Sequence, residues 1–180
     1  MKEATSYEPG LKIIKKEEFV ETPELIEIDI KKAFETEDEI VTWIFKNRKQ
    51  LGDIINSKIS TNIDHYIQGV AAIRPDLYFT DSDSGDKIAV MINFDEPNNE
   101  YFKKLFAIAA FRDLQKIVWV VTTPPDKKTM QILYWLNRKM AFAAEFIVLR
   151  VNVYQIRGFT FVPHLSRIEE PEFVDGYSLF

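Results

Sequence analysis

The residues of this chain best suited to chemistry are oxygen donors and cations gathered in its middle third. Asp76 stands at the head of one apolar run, Asn93 and Asp95 close another, and Glu100, Lys103 and Lys104 follow shortly afterwards. Asp76 and Asp95 carry negative charge, whereas Asn93 presents a neutral carbonyl oxygen. Any reaction or ligand binding by this chain is expected to start from these side chains.

Local patterns predict the elements that would hold them. Residues 76–80 read as a short strand, Asp81 to Asp86 as a tight connection rich in Asp, Ser and Gly, and 87–94 as a returning apolar strand. In that strand Ile88, Val90 and Ile92 point one way while Ala89, Met91, Asn93 and Asp95 point the other, which sets Asn93 and Asp95 side by side. A helix over 99–113 follows, its stripe formed by Phe102, Leu105, Phe106 and Ala109 with Lys103 and Lys104 beside it.

The flanking sequence supplies the rest of a sheet and its covering layers. Thr36 and Glu39 form a capping box for a helix over 37–51, with Ile40, Trp43, Ile44 and Leu51 at helical spacing and Gly52 placed to end it. Residues 116–122 are almost wholly apolar, as in a strand covered on both faces. Pro124-Pro125-Asp126 opens a helix containing Met130, Leu133, Trp135, Leu136 and Met140, and 146–151 reads as a further buried strand. A closing hairpin is expected from 153–156 and 159–162 around Arg157-Gly158. Strand character also marks 63–68 and the alternating Ile26, Ile28 and Ile30, while 11–20 is a lysine- and glutamate-rich segment that would attach beside them. The expected fold is α/β: a mixed sheet flanked by helices, with an N-terminal β extension at 1–35, a main domain at 36–171 and a tail at 172–180.

Composition narrows the function classes. At 180 residues and 46% apolar content the chain has enough material for one well-buried core. A net charge of −5 argues against a broad basic surface but leaves room for a local basic groove. Without cysteine it makes neither disulfides nor thiolate metal sites, and no basic-then-apolar signal opens the sequence, so a soluble cytoplasmic protein is expected. No apolar run approaches the ~20 residues of a membrane span. His65 and His164 are far apart, which disfavours zinc. Asp81, Asp83 and Asp86 lack the distant bidentate Glu of a calcium loop, Ser82 and Ser84 lack a nucleophile elbow, and the 6 glycines form no phosphate loop. Basic residues cluster at Lys103, Lys104, Arg112 and Lys116, and again at Lys127, Lys128, Arg138 and Lys139, patterns expected of solvated helix faces. Trp43, Trp119 and Trp135 are each expected in the core, since each lies within an apolar pattern.

The order of these elements, together with Arg74-Pro75-Asp76-Leu77, the strand end Ile92-Asn93-Phe94-Asp95, the run Lys116-Ile117-Val118-Trp119-Val120 and Tyr134-Trp135-Leu136-Asn137, resembles the PD-(D/E)xK nuclease superfamily, the restriction-endonuclease-like fold. The resemblance extends over roughly 37–171. In that family an Asp and a Glu hold a divalent metal while a Lys stabilises charge developing at the phosphate. Asp76 matches the family's Asp; Asn93 stands where the Glu is expected and Asp95 where the Lys is expected. Asn93 brings no charge, and Asp95 replaces a cation with an anion that repels phosphate.

The resemblance therefore implies a degenerate, non-catalytic nuclease-fold domain that binds nucleic acid or a protein partner. Its alternative is an active Mg²⁺-dependent nuclease in which Asp76 and Asp95 hold the metal, Glu100 reaches down from the next helix and Lys103 or Lys104 takes the lysine role, with Glu39 as a further acidic candidate. Lys103 and Lys104 are also the expected nucleic-acid contacts. A third reading, from a different class, is a structural or homo-oligomeric module that pairs through the edges supplied by 25–30 and the closing hairpin.

Overall fold

The apolar run Lys87–Asn93 folds as strand β3, and both of its faces are covered. Ile88, Val90 and Ile92 enter one core while Ala89 and Met91 enter the other, so alternation along a single strand separates two apolar layers. A computed structural model describes residues 25–60, 74–111, 113–139, 144–156 and 160–169. The expectations for 11–20, 63–68, Arg157-Gly158 and the C-terminal tail lie outside the described residues.

The remaining elements are β1 (Leu25–Ile28), α1 (Glu37–Lys46), α2 (Arg48–Ile54), β2 (Leu77–Thr80), α3 (Asn99–Phe111), β4 (Lys116–Val121), α4 (Lys127–Lys139), β5 (Glu145–Ile156) and β6 (Thr160–Arg167). β3, β4 and β5 run parallel through two crossovers, α3 and α4, while β2 pairs antiparallel with β3. β5 pairs β4 along Glu145 to Arg150 and β1 along Val153 to Ile156, with β6 antiparallel to it from Leu149 to Ile156. The result is a curled mixed sheet between two helical layers. Ile40, Ile44, Leu51 and Ile55 cover one face, and Leu105, Ile108, Met130 and Leu133 cover the other. Each fully buried aliphatic side chain contributes ~1.5–3 kcal/mol through removal from water.

Local chemistry explains where the elements start and stop. Thr36 caps α1 by accepting the Glu39 N–H, and the Glu39 carboxylate accepts from Glu35 N at 2.6 Å. The helix expected over 37–51 is instead two helices broken at Asn47, whose Nδ2 donates to the Trp43 carbonyl at 2.8 Å and competes with the helical ladder. Gly52 does not end a helix. It lies buried inside α2, and an added Cβ would collide with the Ser57 carbonyl oxygen, so glycine lets the following loop fold back against the helix.

The connection before β3 is a solvated turn organised by Asp81. Its Oδ1 accepts from Asp83 N at 2.9 Å, and Gly85 adopts φ 79, a conformation that favours glycine. Asn98 caps α3, accepting from Glu100 N and Tyr101 N, and Asp126 caps α4 through Thr129 N. Asn137, part of the Tyr-Trp-Leu-Asn landmark, donates to the Phe146 carbonyl and accepts the Phe146 N–H, each at 2.7 Å, clamping α4 to the start of β5.

β5 departs from expectation by continuing through 152 as one 12-residue strand. Asn152 is buried there with its Nδ2 donating to Ser166 Oγ at 2.8 Å, so a polar residue that suggested a break is satisfied across the ladder. Among the described residues no helix is long and apolar enough to cross a membrane.

Candidate functional site

Glu37, Asp76, Tyr101 and Lys104 meet beyond the end of β3, around a cavity of about 80 Å³ whose wall also includes Arg74 and Met91. Three elements deliver them. Glu37 is the first residue of α1, Asp76 immediately precedes β2, and Tyr101 and Lys104 occupy successive turns of the α3 face that looks toward the strand end. In α/β sheets the carboxyl ends of parallel strands are the usual place for ligands.

One oxygen of each carboxylate is taken by the protein itself. Asp76 Oδ2 accepts the Ile92 N–H at 2.6 Å, so the side chain replaces a backbone carbonyl where the β2–β3 ladder ends. Glu37 Oε2 accepts the Phe94 N–H at 3.3 Å and the Tyr101 hydroxyl at 3.2 Å, joining α1 to α3 across the end of β3. Lys104 Nζ lies 4.8 Å from the centre of the Tyr101 ring, a cation–π distance.

Charge at this point is finely opposed. Asp76 is exposed as a residue, yet its carboxyl is turned inward, and loss of water there raises its pKa above the ordinary value. The Ile92 N–H pulls the pKa back down, Glu37 raises it and Lys104 lowers it. Tyr101 is pushed up to about 12, first by loss of water and then by Glu37, with smaller contributions from Asp76 and Asp95. Its phenol therefore stays protonated and donates to Glu37 throughout the physiological range.

Of the predicted residues, the structure brings Asp76 and Lys104 together and leaves the others apart from the cavity. The register pairs Leu77 with Val90, which sets Asp76 against Met91 and Ile92 rather than Asn93. Asn93 is wholly buried at the end of β3, and its amide has no hydrogen-bond partner among the described residues. Asp95 is exposed in the bend after β3 and reaches the cluster only through its field at Tyr101. Glu100 is exposed and pairs with Lys103 at 2.7 Å on the outer surface of α3, away from the cavity. Glu39 serves the α1 cap.

Glu37 was missed by the sequence reasoning, although a signal for it exists. Three acidic residues open α1, and of these only Glu37 lies on the stripe that continues through Ile40 and Ile44; Glu39 turns away. Lys116 also leaves its expected basic surface, since its Nζ donates to Ile55 O, Asn56 O and Ser57 Oγ at the end of α2. Trp135 is not a core residue: it is 56% exposed, because Met130, Leu133 and Tyr134 form the buried stripe of α4 and Trp135 falls outside it.

The Mg²⁺ implied by the resemblance does not fit this donor set. The cavity is lined by two carboxylates, Asp76 and Glu37, each with one oxygen already taken by a protein hydrogen bond, and Met91 beside Asp76 offers no oxygen. Among the described residues no group of three or more carboxylate or imidazole side chains converges as a metal cage. What the cluster can do is fix geometry, with Asp76 and Glu37 tying β3 to α1 and α3. No protein-family model matches the chain, and no curated protein or solved structure is significantly similar to it.

Proposed function

We propose that this protein is a restriction-endonuclease-like domain in which the metal centre has become a structural cluster, and that it works by binding nucleic acid without cutting it. The observation that carries this reading is the Asp76 carboxylate, one oxygen of which accepts the Ile92 N–H beside Met91, with Asn93, at the position of the family's Glu, buried apart from the cavity. Order of elements supports the fold assignment: a helix, an antiparallel strand pair, then two parallel crossovers. The cations Lys46, Arg48, Lys49 and Lys58, which line a concave surface along α2 and the loop after it, support binding of an anion.

The test is incubation with single- and double-stranded DNA and RNA in Mg²⁺ or Mn²⁺. Salt-sensitive retention of intact strands is the expected result. Metal-dependent cleavage that disappears in Asp76→Asn would replace this reading with that of an active nuclease whose residues have rearranged.

A specific feature favours self-association as a second activity. Leu25 and Ile26 on β1 are 58% and 52% exposed, and Phe161 and Val162 on β6 are 42% and 37% exposed. The registers place Ile26 and Phe161 on either side of Gln155, and Val162 opposite Tyr154, so the apolar side chains gather at the far end of β5. Light scattering over a range of protein concentration should show mass rising above 21.1 kDa. A constant monomer mass removes this second reading.

A further inference from the structure

A second concave surface lies away from the strand-end cluster, and its charge is of the opposite balance to that of the whole chain. The groove, of about 610 Å³, follows the end of α1, the length of α2 and the loop beyond it. Its lining carries the cations Lys46, Arg48, Lys49 and Lys58 against one carboxylate, Asp53. The chain around it has a net charge of −5.

These cations are differently prepared. Arg48 is held in place, its Nη1 donating to the Phe45 carbonyl at 3.2 Å and its guanidinium lying 5.2 Å from the centre of the Phe45 ring. Lys46 and Lys49 are exposed and have no side-chain partner among the described residues. Lys58 pairs with Asp83 at 3.1 Å, but both side chains are about 70% exposed, and such surface pairs contribute little and give way to a stronger counter-charge. Behind the wall, Lys116 Nζ is fixed against Ile55 O, Asn56 O and Ser57 Oγ, adding positive potential that cannot swing away. Gly52 allows the loop to pack closely enough for this wall to exist.

We infer that this groove is the seat of a single-stranded nucleic-acid backbone, and that Lys46, Lys49 and Lys58 each neutralise a phosphate. The inference rests on the nucleic-acid reading above and names the surface responsible for it. Two features select this occupant. An acidic helix or peptide would need apolar anchors, and the groove offers just one apolar side chain, Ile59. A duplex would need a wide basic face, which the acidic balance of the chain does not provide. A flexible single strand can follow local cations with its phosphates, and Lys46, Arg48, Lys49 and Lys58 supply them; with no aromatic side chain in the lining for bases to stack on, the contact is to the backbone.

The experiment measures fluorescence anisotropy of a labelled 20-nucleotide strand of mixed sequence, as DNA and as RNA, from about 50 to 300 mM salt. Three neutralised phosphates predict a slope of log affinity against log salt of about −2. Lys46→Glu/Lys49→Glu should weaken binding at least tenfold and flatten that slope, and Lys46→Gln/Lys49→Gln should do so by a smaller factor. Unchanged circular dichroism and melting temperature show that each variant is folded.

The rival basic surface, on α4, is tested by Lys127→Glu/Lys128→Glu, which makes the same charge change elsewhere. Equal loss in both reversal variants, or loss in the α4 variant alone, overturns the groove while leaving the nucleic-acid reading intact. A wild-type protein that binds neither strand overturns both. Binding of poly-glutamate in place of either strand, abolished by the groove variants, would assign the surface to an acidic polypeptide and overturn the inference.

Discussion

The strand-end cluster and the α2 groove are both lined by charged side chains, but they differ in balance and enclosure. At the end of β3 the anions Glu37 and Asp76 meet the cations Arg74 and Lys104 around about 80 Å³, and the carboxylates are already hydrogen-bonded to the protein. Along α2 four cations face one carboxylate around about 610 Å³, and Lys46 and Lys49 have no side-chain partner among the described residues. A charge set that satisfies itself gains little from a ligand, because binding must first break what is already formed. An unbalanced set gains a counter-charge and releases ions when a polyanion arrives. On the proposed reading the first region holds structure together, and the second is where recognition takes place.

The largest expected effect breaks the groove itself. Gly52→Ala would normally favour a helix interior, yet here the new Cβ meets the Ser57 carbonyl oxygen and forces the wall outward. Overpacking of this kind costs about 1–3 kcal/mol, so chemical denaturation should show a loss of stability together with weaker nucleic-acid binding. Unchanged stability would mean that the loop does not press on α2.

A smaller effect disturbs the balance of the cluster. Lys104→Glu adds a third anion beside Glu37 and Asp76, which should destabilise the fold by about 1 kcal/mol or less at neutral pH. Because the new repulsion requires the Asp76 carboxylate to be ionised, the deficit should shrink as pH falls through its raised pKa. A deficit that is independent of pH would assign the effect to lost packing on Tyr101 instead.

Asp76→Asn sharpens the contrast, because a metal ligand and a structural acceptor respond differently. The amide oxygen can still accept the Ile92 N–H, and the like charge facing Glu37 disappears. The folded-state pKa of Asp76 is raised, so the native state holds its proton more firmly than the unfolded chain does. Stability from this group is then greatest at low pH and falls as pH rises from its ordinary value of 3.8 through the raised one. Asn lacks that fall, so the variant should be at least as stable as wild type at pH 7 and lose its advantage below pH 3.8 in thermal melts.

Tyr101→Phe probes the neutral link of the cluster. It removes one hydrogen bond to Glu37, part-buried at 3.2 Å, and should cost about 1 kcal/mol. A difference absorbance titration between wild type and variant should locate the missing phenol's ionisation near pH 12. An ionisation near pH 10 would show that Glu37 and burial do not act on it.

Much of the scaffold could be read from the sequence because it is set by periodicity. The doubly covered β4 and the buried stripe of α3 follow from apolar spacing, and the start of α1 from the Thr36 and Glu39 capping box. The break at Asn47 was hidden, because it depends on a side chain outcompeting the helix for one carbonyl. Trp135 was misplaced because a hydrophobic residue beside a buried stripe reads like a member of it.

The site was legible only in part. Asp76 and Lys104 could be chosen by type and neighbourhood, whereas the choice of Met91 over Asn93 as the neighbour of Asp76 is fixed by register, which strand sequences do not print. The groove was invisible for a related reason. Lys46 and Lys49 read as ordinary solvated helix positions until the loop after Gly52 folds back and sets Lys58 across from them.

The central claim is that recognition and catalysis have separated, with binding at an open groove and no reaction at the closed cluster. The most direct measurement follows one labelled single strand in Mg²⁺ or Mn²⁺, recording its anisotropy against salt and its length on a denaturing gel from the same samples. The predicted result is a salt slope of about −2 with the strand at full length throughout. A strand that shortens with wild type and stays intact with Asp76→Asn, or one that never binds, would contradict it.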